Sequence, residues 1–385
     1  MFGVVQCPKT GAVVHLTKQL LSHANNRSRC LTRALTETPT GQKQTTRQIH
    51  TGKASRLAGH LSDPENRGER QRGVNFDTLG AWNNRIELPV SIEKSIERGQ
   101  LIPDLPIDNV GSASLQGRRQ ENEDRFIVKK LRENLLCFAI FDGHGGSAAV
   151  NFVHENIEHH IRYWLGRTEK LADVLRKSFI DVNNLLSRHL AFQGADVMTG
   201  TTATVCLLQN SIELVIGHVG DTRAILCREG EAIRLSKDHT PENVGEIERI
   251  IKAGGSISEN SLGVANVNGR LSMTRSIGDF ELKHYGVIAD PYICSVTLKH
   301  DKDSFLLLES DGLSFVLNDQ ELVDIVTCCS TPLEAAEFVT DQALQFGSED
   351  NVTAVVIPFG AWGKYRNTSA RIPYSFGRHL TSHRY

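Results

Sequence analysis

The sequence predicts an α+β fold in which two antiparallel sheets pack face to face with helices outside. Three observations lead there. Strand-length apolar runs come in blocks joined by short turns. Helical stretches fall in two groups between those blocks. The regular strand–helix alternation of a parallel, doubly wound sheet is missing, and the chain shows no internal repeat.

The elements follow in order. "DNVGSASL" (108–115) and "LLCFAIF" (135–141) read as strands. Residues 147–165 read as a helix, because Ala148, Phe152, Ile157 and Ile161 recur at roughly helical spacing. A second helix covers about 168–191. Three strand-like runs then alternate with turns: "TTATVCLL", "IELVIGHVG" and "TRAILCREG". Residues 241–253 form a helix opened by Pro241 and closed by Gly254-Gly255. After a loop-rich stretch, "YICSVTL" and "SFLLLES" read as strands, and helices cover about 318–329 and 332–346. "NVTAVVIPF" closes the body as a strand.

With 385 residues, the chain holds one large domain or two ordinary ones. No run of eighteen apolar residues occurs, so no membrane span is expected. The formal net charge of −2 conceals an asymmetry. Residues 1–56 carry nine Lys/Arg against one acid, Glu37, a charge of +8 that leaves −10 for the remainder. An acidic body argues against nucleic acid as a partner and suits hard cations. The eight Cys include no CxxC pair, and the adjacent Cys328 and Cys329 have poor geometry for a bridge. No Cys is followed by Arg six positions later, so the thiol chemistry of the cysteine phosphatases is excluded.

The first 56 residues are Arg-rich, Ser/Thr-rich and nearly free of acids, and they lack the apolar h-region of a secretory signal. That composition fits a mitochondrial transit peptide, with "RQIHTG" from Arg47 as a processing signal. Residues 57–107 form an N-terminal arm in which Phe76, Leu79 and Trp82 either pack back on the domain or dock a partner. The C-terminal segment 359–385 is basic and aromatic, and is expected to be a loosely packed end.

Acids recur at strand ends or in turns beside glycine: Glu123-Asp124, Asp142, Asp221, Asp279, Asp311 and Asp350. A lone Asp-Gly is an ordinary turn. A whole series at sheet edges, if gathered at one rim, would repel strongly unless cations neutralised it. Oxygen donors without Cys or paired His select Mg²⁺ or Mn²⁺ over Zn²⁺. Two such ions about 3.5–4 Å apart share a water, lower its pKa and aim it at phosphorus. In "FDGHGG", Gly143 has no Cβ, so its own carbonyl can approach a metal. His144, one residue beyond, is placed to protonate a leaving alkoxide. Arg118 and Arg119 supply a fork of donors for phosphate oxygens.

"RRQENEDRF", "FDGHGG", "GTTATV", "VGDTRA", "DHTPE", "GRLSMTRSIGD", "SDGLS" and "EDNVTAVV" occur in that order. Together they resemble the protein phosphatase 2C family of metal-dependent Ser/Thr phosphatases, from about Val110 to Pro358. The resemblance implies an αββα four-layer sandwich with a two-metal cleft, the catalytic domain spanning 108–358. It implies Asp142 as bridging ligand, Gly143 as carbonyl ligand, Asp311 and Asp350 as direct ligands, and Glu123 and Asp124 as holders of metal-bound waters. It also implies that Arg119 binds phosphate, with Arg118 the alternative register, and that His144 is the general acid. Asp221 would belong to a third-metal or second-shell position. The family often carries an Asp four residues after Asp311; here Phe315 stands there, so a third site has lost a ligand. "GTTATV" and "DHTPE" read as strand and turn elements, with Thr201 and Thr202 available to bond nearby carboxylates.

The flanks "WNNRIELP" and "PFGAWGKYRN" are similar to mitochondrial members that act on the branched-chain α-ketoacid dehydrogenase complex. The implied activity is hydrolysis of phosphoserine or phosphothreonine, with the E1 component of that complex, in the mitochondrial matrix, as substrate. The alternative is a catalytically silent adaptor of the same fold that binds phosphoproteins. Such a protein would be expected to lose Asp142, Asp311 or Asp350, and all three are present. A metal-dependent phosphodiesterase is disfavoured by the acidic body.

Overall fold

The computed structural model describes residues 105–193, 198–261 and 263–366. The segment read as a transit peptide, nearly all of the N-terminal arm and residues 367–385 lie outside the described residues.

A 3₁₀ turn (Ile107–Asn109) leads into β1 (Gly111–Leu115), β2 (Asp124–Arg132) and β3 (Leu135–His144). Two long helices follow, α1 (Ala148–Leu165) and α2 (Leu171–Gln193). Then come β4 (Gly200–Thr201), β5 (Ala203–Gln209), β6 (Glu213–Val219), β7 (Arg223–Arg228) and β8 (Glu231–Arg234). A small lobe is built from α3 (Val244–Lys252), β9 (Ile257–Glu259), β10 (Ala265–Val267) and α4 (Phe280–Lys283), with β11 (Ile277–Gly278) rejoining the main sheet just before α4. The chain then forms β12 (Tyr292–Thr297), β13 (Asp303–Glu309), α5 (Asp311–Ser314), α6 (Asp319–Cys328), α7 (Pro332–Gln345) and β14 (Val352–Pro358).

One sheet has the order β1-β14-β13-β7-β8; the other runs β11-β4-β3-β5-β6-β12, with β2 also paired to β3. Among the described residues every strand pair in both is antiparallel. Period-2 alternation builds the layers. In β3, Leu136, Phe138 and Ile140 face the other sheet, where they meet Leu306 and Leu308 of β13 and Val355 and Ile357 of β14. The alternate residues Leu135, Cys137, Ala139 and Phe141 pack against Val150 and Val153 of α1 and Phe179 of α2. The second sheet does the same, presenting Phe305, Leu307, Ala354 and Val356 to α6 and α7. Both sheets are thus apolar on both faces, and the result is the expected αββα sandwich.

Several expectations are corrected. "FDGHGG" is not a turn at Asp142-Gly143. β3 continues through His144, with Gly143 opposite Thr201 and His144 opposite Gly200, and the chain turns only at Gly145 and Gly146, where φ is 69° and 105°. α3 starts at Val244 rather than near Pro241, because the Asn243 side chain accepts from the Gly245 N–H and caps it. The end of the chain is not loose as far as it is described. Phe359, Ala361 and Trp362 are buried, and the Trp362 indole donates to the Ser330 carbonyl at 3.2 Å.

Candidate active site

Antiparallel connection brings the acidic turns to one end of the sandwich. Asp124 begins β2 directly opposite Asp142 in β3. In the other sheet β13 ends, and β14 begins, at the same edge, with Glu309 paired to Ala354. That register sets Asp311 and Asp350, just beyond those ends, side by side. β7 starts at Arg223 opposite Glu309, so the Asp221 turn joins the same rim.

A cleft of about 880 Å³ opens there. Arg119, Glu123, Asp142, Asp311 and Asp350 line it together with His144 and Asp279. The small lobe supplies Val264, Leu271 and Met273 as a more apolar wall. The cleft is far larger than a phosphate group and leaves room for a stretch of polypeptide.

The carboxyls carry the electrostatic signature of crowded like charges. Burial drives Asp124 up to about 7, against the lowering pull of Thr353 and Ser310, whose hydroxyls donate to its Oδ2 at 2.7 and 2.8 Å. Its Oδ1 is buried without a partner. Burial, then the charges of Asp311 and Asp124, hold Asp142 well above the usual carboxylate range. Burial and Asp350 raise Asp311 as well. Asp221 is pushed up to about 7 by burial and Asp311, and its Oδ1 is likewise buried and unpartnered.

Among the described residues no three Asp, Glu, His or Cys side chains stand close enough together to hold a metal ion between them. What they form is an open, oxygen-only rim. Mg²⁺-type ions use few protein ligands and keep several waters, so an open rim with orphaned carboxylate oxygens fits them. At Gly143 a Cβ would stand 2.7 Å from Val150 Cγ1 and 3.0 Å from the Glu123 carbonyl, so the glycine lets β3 pack closely against α1 and the Glu123 loop.

Arg119 and Arg118 separate cleanly. Arg119 reaches into the cleft and binds Asp350 Oδ2 at 2.6 Å, whereas Arg118 pairs with the exposed Glu349. Asn351 secures the intervening loop, donating to the carbonyls of Gln116 and Glu121 and accepting from the Glu123 N–H. Thr201 and Thr202 do not bond carboxylates. Thr201 Oγ1 donates to the Asp142 carbonyl, and Thr202 Oγ1 accepts from the Asp142 N–H, so both fix its main chain. Phe315, at the position noted for a lost ligand, is 81% exposed.

Asp279 does not join the carboxylate rim. Its oxygens lie 2.9 and 3.0 Å from His144 Nε2. Burial is the largest single effect and opposes charging of His144, but the bond to Asp279 together with the charges of Asp279, Asp221 and Glu123 raises the imidazole pKa. The sequence marked Asp279 as one more acid beside a glycine. Its neighbour Ser276, which donates to Asp279 Oδ2, was the only local hint of a built site.

A Protein phosphatase 2C profile matches residues 108–352. The chain is 47% identical over 313 residues to "Protein phosphatase 1K, mitochondrial" of Xenopus laevis, covering 81% of this chain and 83% of that protein. It is 34% identical over 275 residues to "Protein phosphatase 1L" of Bos taurus, covering 68% and 73%. The fold is similar to that of a serine-threonine phosphatase 2C from Toxoplasma gondii, with a TM-score of 0.60 at 21% identity, covering 65% of this chain and 94% of that one.

Proposed function

The chain belongs to the protein phosphatase 2C family, and from that premise we propose that the cleft beside Asp142, Asp311 and Asp350 hydrolyses phosphoserine and phosphothreonine by direct attack of water. The enzyme is a protein serine/threonine phosphatase of a metal-dependent family. The observation that carries the site assignment is the meeting of two carboxyls raised by burial and by neighbouring charge, Asp142 and Asp311, with Asp350 and the cleft-facing Arg119 that pairs with it.

We assign two divalent cations, Mn²⁺ or Mg²⁺, to the Asp142, Asp311 and Asp350 carboxylates and the Gly143 carbonyl, with Glu123 and Asp124 reaching them through waters. Bound there, the cations would supply Lewis acidity toward the phosphoryl oxygens and acidify a water. The protein's own groups do the rest. Arg119, whose side chain is 61% exposed, exchanges its bond to Asp350 for the phosphoryl oxygens and offsets the charge that builds on them. Water adds to phosphorus as the P–O bond to the seryl or threonyl oxygen breaks. That oxygen departs with the bonding pair and takes a proton from His144. Asp221, buried at the same rim, would hold a third cation or back the ligands of the first two.

Mitochondrial location is proposed from the basic, acid-poor N-terminus and from the name of the Xenopus relative. The matrix, and the E1 component of the branched-chain α-ketoacid dehydrogenase complex as substrate, rest on the resemblance of the flanking segments. Phosphate release from a phosphoserine peptide of that subunit tests the reading, with Mn²⁺, with EDTA and with Asp311→Ala. Release should require both the cation and Asp311. A folded, metal-supplied wild type that leaves this and generic phosphopeptides untouched would sink it.

A further inference from the structure

We propose that Asp279 is a positioning residue for the hydrolysis: its carboxylate holds the His144 ring in the orientation from which it protonates the departing oxygen. The inference rests on His144 as general acid.

Four features of the fold converge on this pair. Asp279 lies 135 residues from His144 in the chain, yet both of its oxygens come within 3.0 Å of Nε2. The carboxylate is itself immobilised, since it is 4% exposed, its Oδ2 accepts from Ser276 Oγ, and its backbone N–H donates to the Thr199 carbonyl at 3.1 Å. Asp279 adopts φ 50°, the left-handed conformation that disfavours a residue bearing a Cβ. Finally, β4 runs past the pair at Gly200, where any Cβ would overlap both Asp279 Oδ2 and His144 Nε2. A strained backbone, a side chain deleted at Gly200 and a dedicated hydroxyl donor all serve one contact.

The chemistry explains the expense. A serine or threonine alkoxide is a poor leaving group and needs a proton as the P–O bond breaks. The imidazolium gives up one N–H. The one it keeps is at Nε2, accepted by Asp279, so the transferred proton comes from Nδ1. That nitrogen is buried and without a hydrogen-bond partner among the described residues, so its proton has no other acceptor in the fold. A ring free to flip would spend part of its time with the wrong nitrogen toward the substrate.

The test compares kcat/KM on a phosphoserine peptide with that on p-nitrophenyl phosphate, whose nitrophenolate leaves without a proton. Wild type, His144→Gln, Asp279→Asn, Ser276→Ala and the His144→Gln/Asp279→Asn double variant are measured with saturating Mn²⁺. Asp279→Asn is expected to lose about 10–100-fold on the peptide, in kcat rather than KM, and far less on the aryl ester. The double variant should be no worse than His144→Gln alone. Ser276→Ala, the milder change should Asp279→Asn misfold, is expected to show the same substrate-selective loss in smaller measure. In metal-free protein, ¹⁵N NMR of the imidazole should show a strongly hydrogen-bonded Nε2–H that Asp279→Asn abolishes. Equal losses on both substrates for Asp279→Asn or Ser276→Ala, multiplicative loss in the double variant, or an unaltered Nε2–H would each overturn the proposal. Equal losses for His144→Gln would instead overturn the general-acid reading on which it stands.

Discussion

Gly143 shows how a single missing side chain shapes this site. It lies within β3, buried, between Val150 of α1 and the Glu123 carbonyl. Alanine there would press on both, and β3 would have to move away from the loop that carries Glu123 and Asp124. Gly143→Ala is therefore expected to lower phosphopeptide hydrolysis on the order of 100-fold, the scale of a 1 Å misplacement in a catalytic site. Circular dichroism should stay native, and wild-type activity in a folded Gly143→Ala protein would refute the close-approach role. Asp142, Asp311 and Asp350 could be read from sequence because each abuts an apolar run that had to be a strand. The His144–Asp279 contact could not. Side-chain pairing across 135 residues depends on which strand ends meet, and nothing local encodes it. The same limit explains why Thr201 and Thr202 were matched to carboxylates when they hold main-chain atoms.

Elements with continuous apolar runs or strong caps were the readable ones. β3, β5, β6, β13, β14 and the helices α1, α2, α6 and α7 fall close to where periodicity put them. β2 escapes because Arg125, Lys129, Lys130 and Arg132 dilute its pattern, although Ile127 and Leu131 pack on the helix-side core and Phe126 and Val128 against the inter-sheet core. β9, β10 and β11 are two or three residues long, too short to carry a period, and exist through their pairing partners. The lobe that holds β9 and β10 depends on a polar clamp. Glu246 of α3 binds Arg275 and Arg249 at 2.6 Å each and accepts from Thr274 Oγ1 at 2.7 Å. Arg275 leads directly into the Ser276–Asp279 segment, so the clamp also locates the partner of His144. Glu246→Ala is expected to destabilise the protein by about 3 kcal/mol or somewhat less, the low end for a broken buried pair, because the arginines are partly exposed. Hydrogen exchange should speed up across 255–290 before it does in β3 or β13. Uniform protection in the variant would show that the clamp is dispensable.

Gathering so much negative charge at one end of the sandwich sets function against stability. Asp124 and Asp221 are raised to about 7, and Asp142 and Asp311 are raised too, burial being the first cause in each. A carboxyl with a raised pKa stabilises the fold below its unfolded value near 4 and loses that contribution as pH climbs through the folded one. The metal-free protein is therefore penalised between about pH 4 and 7 by this cluster. His218 and His239 act oppositely. Burial lowers them to about 4 and about 2, so their contribution fades as pH falls below the ordinary histidine range near 6.5. Comparing variants at one pH cancels the histidines and isolates the cluster. Asp311→Asn keeps the shape and removes one charge. At pH 8 without cation it is expected to melt higher than wild type, while phosphopeptide hydrolysis is lost. Mn²⁺ should raise the wild-type melting temperature strongly at pH 8, by about 2.7 kcal/mol of stabilisation at a hundredfold excess over Kd, and less at pH 5.5, where protons compete for the same oxygens. In Asp311→Asn that rise should shrink. Melting curves with Mn²⁺ and with EDTA decide it. A metal-free Asp311→Asn protein less stable than wild type at pH 8 would mean that the rim is held by its hydrogen bonds rather than strained by its charge.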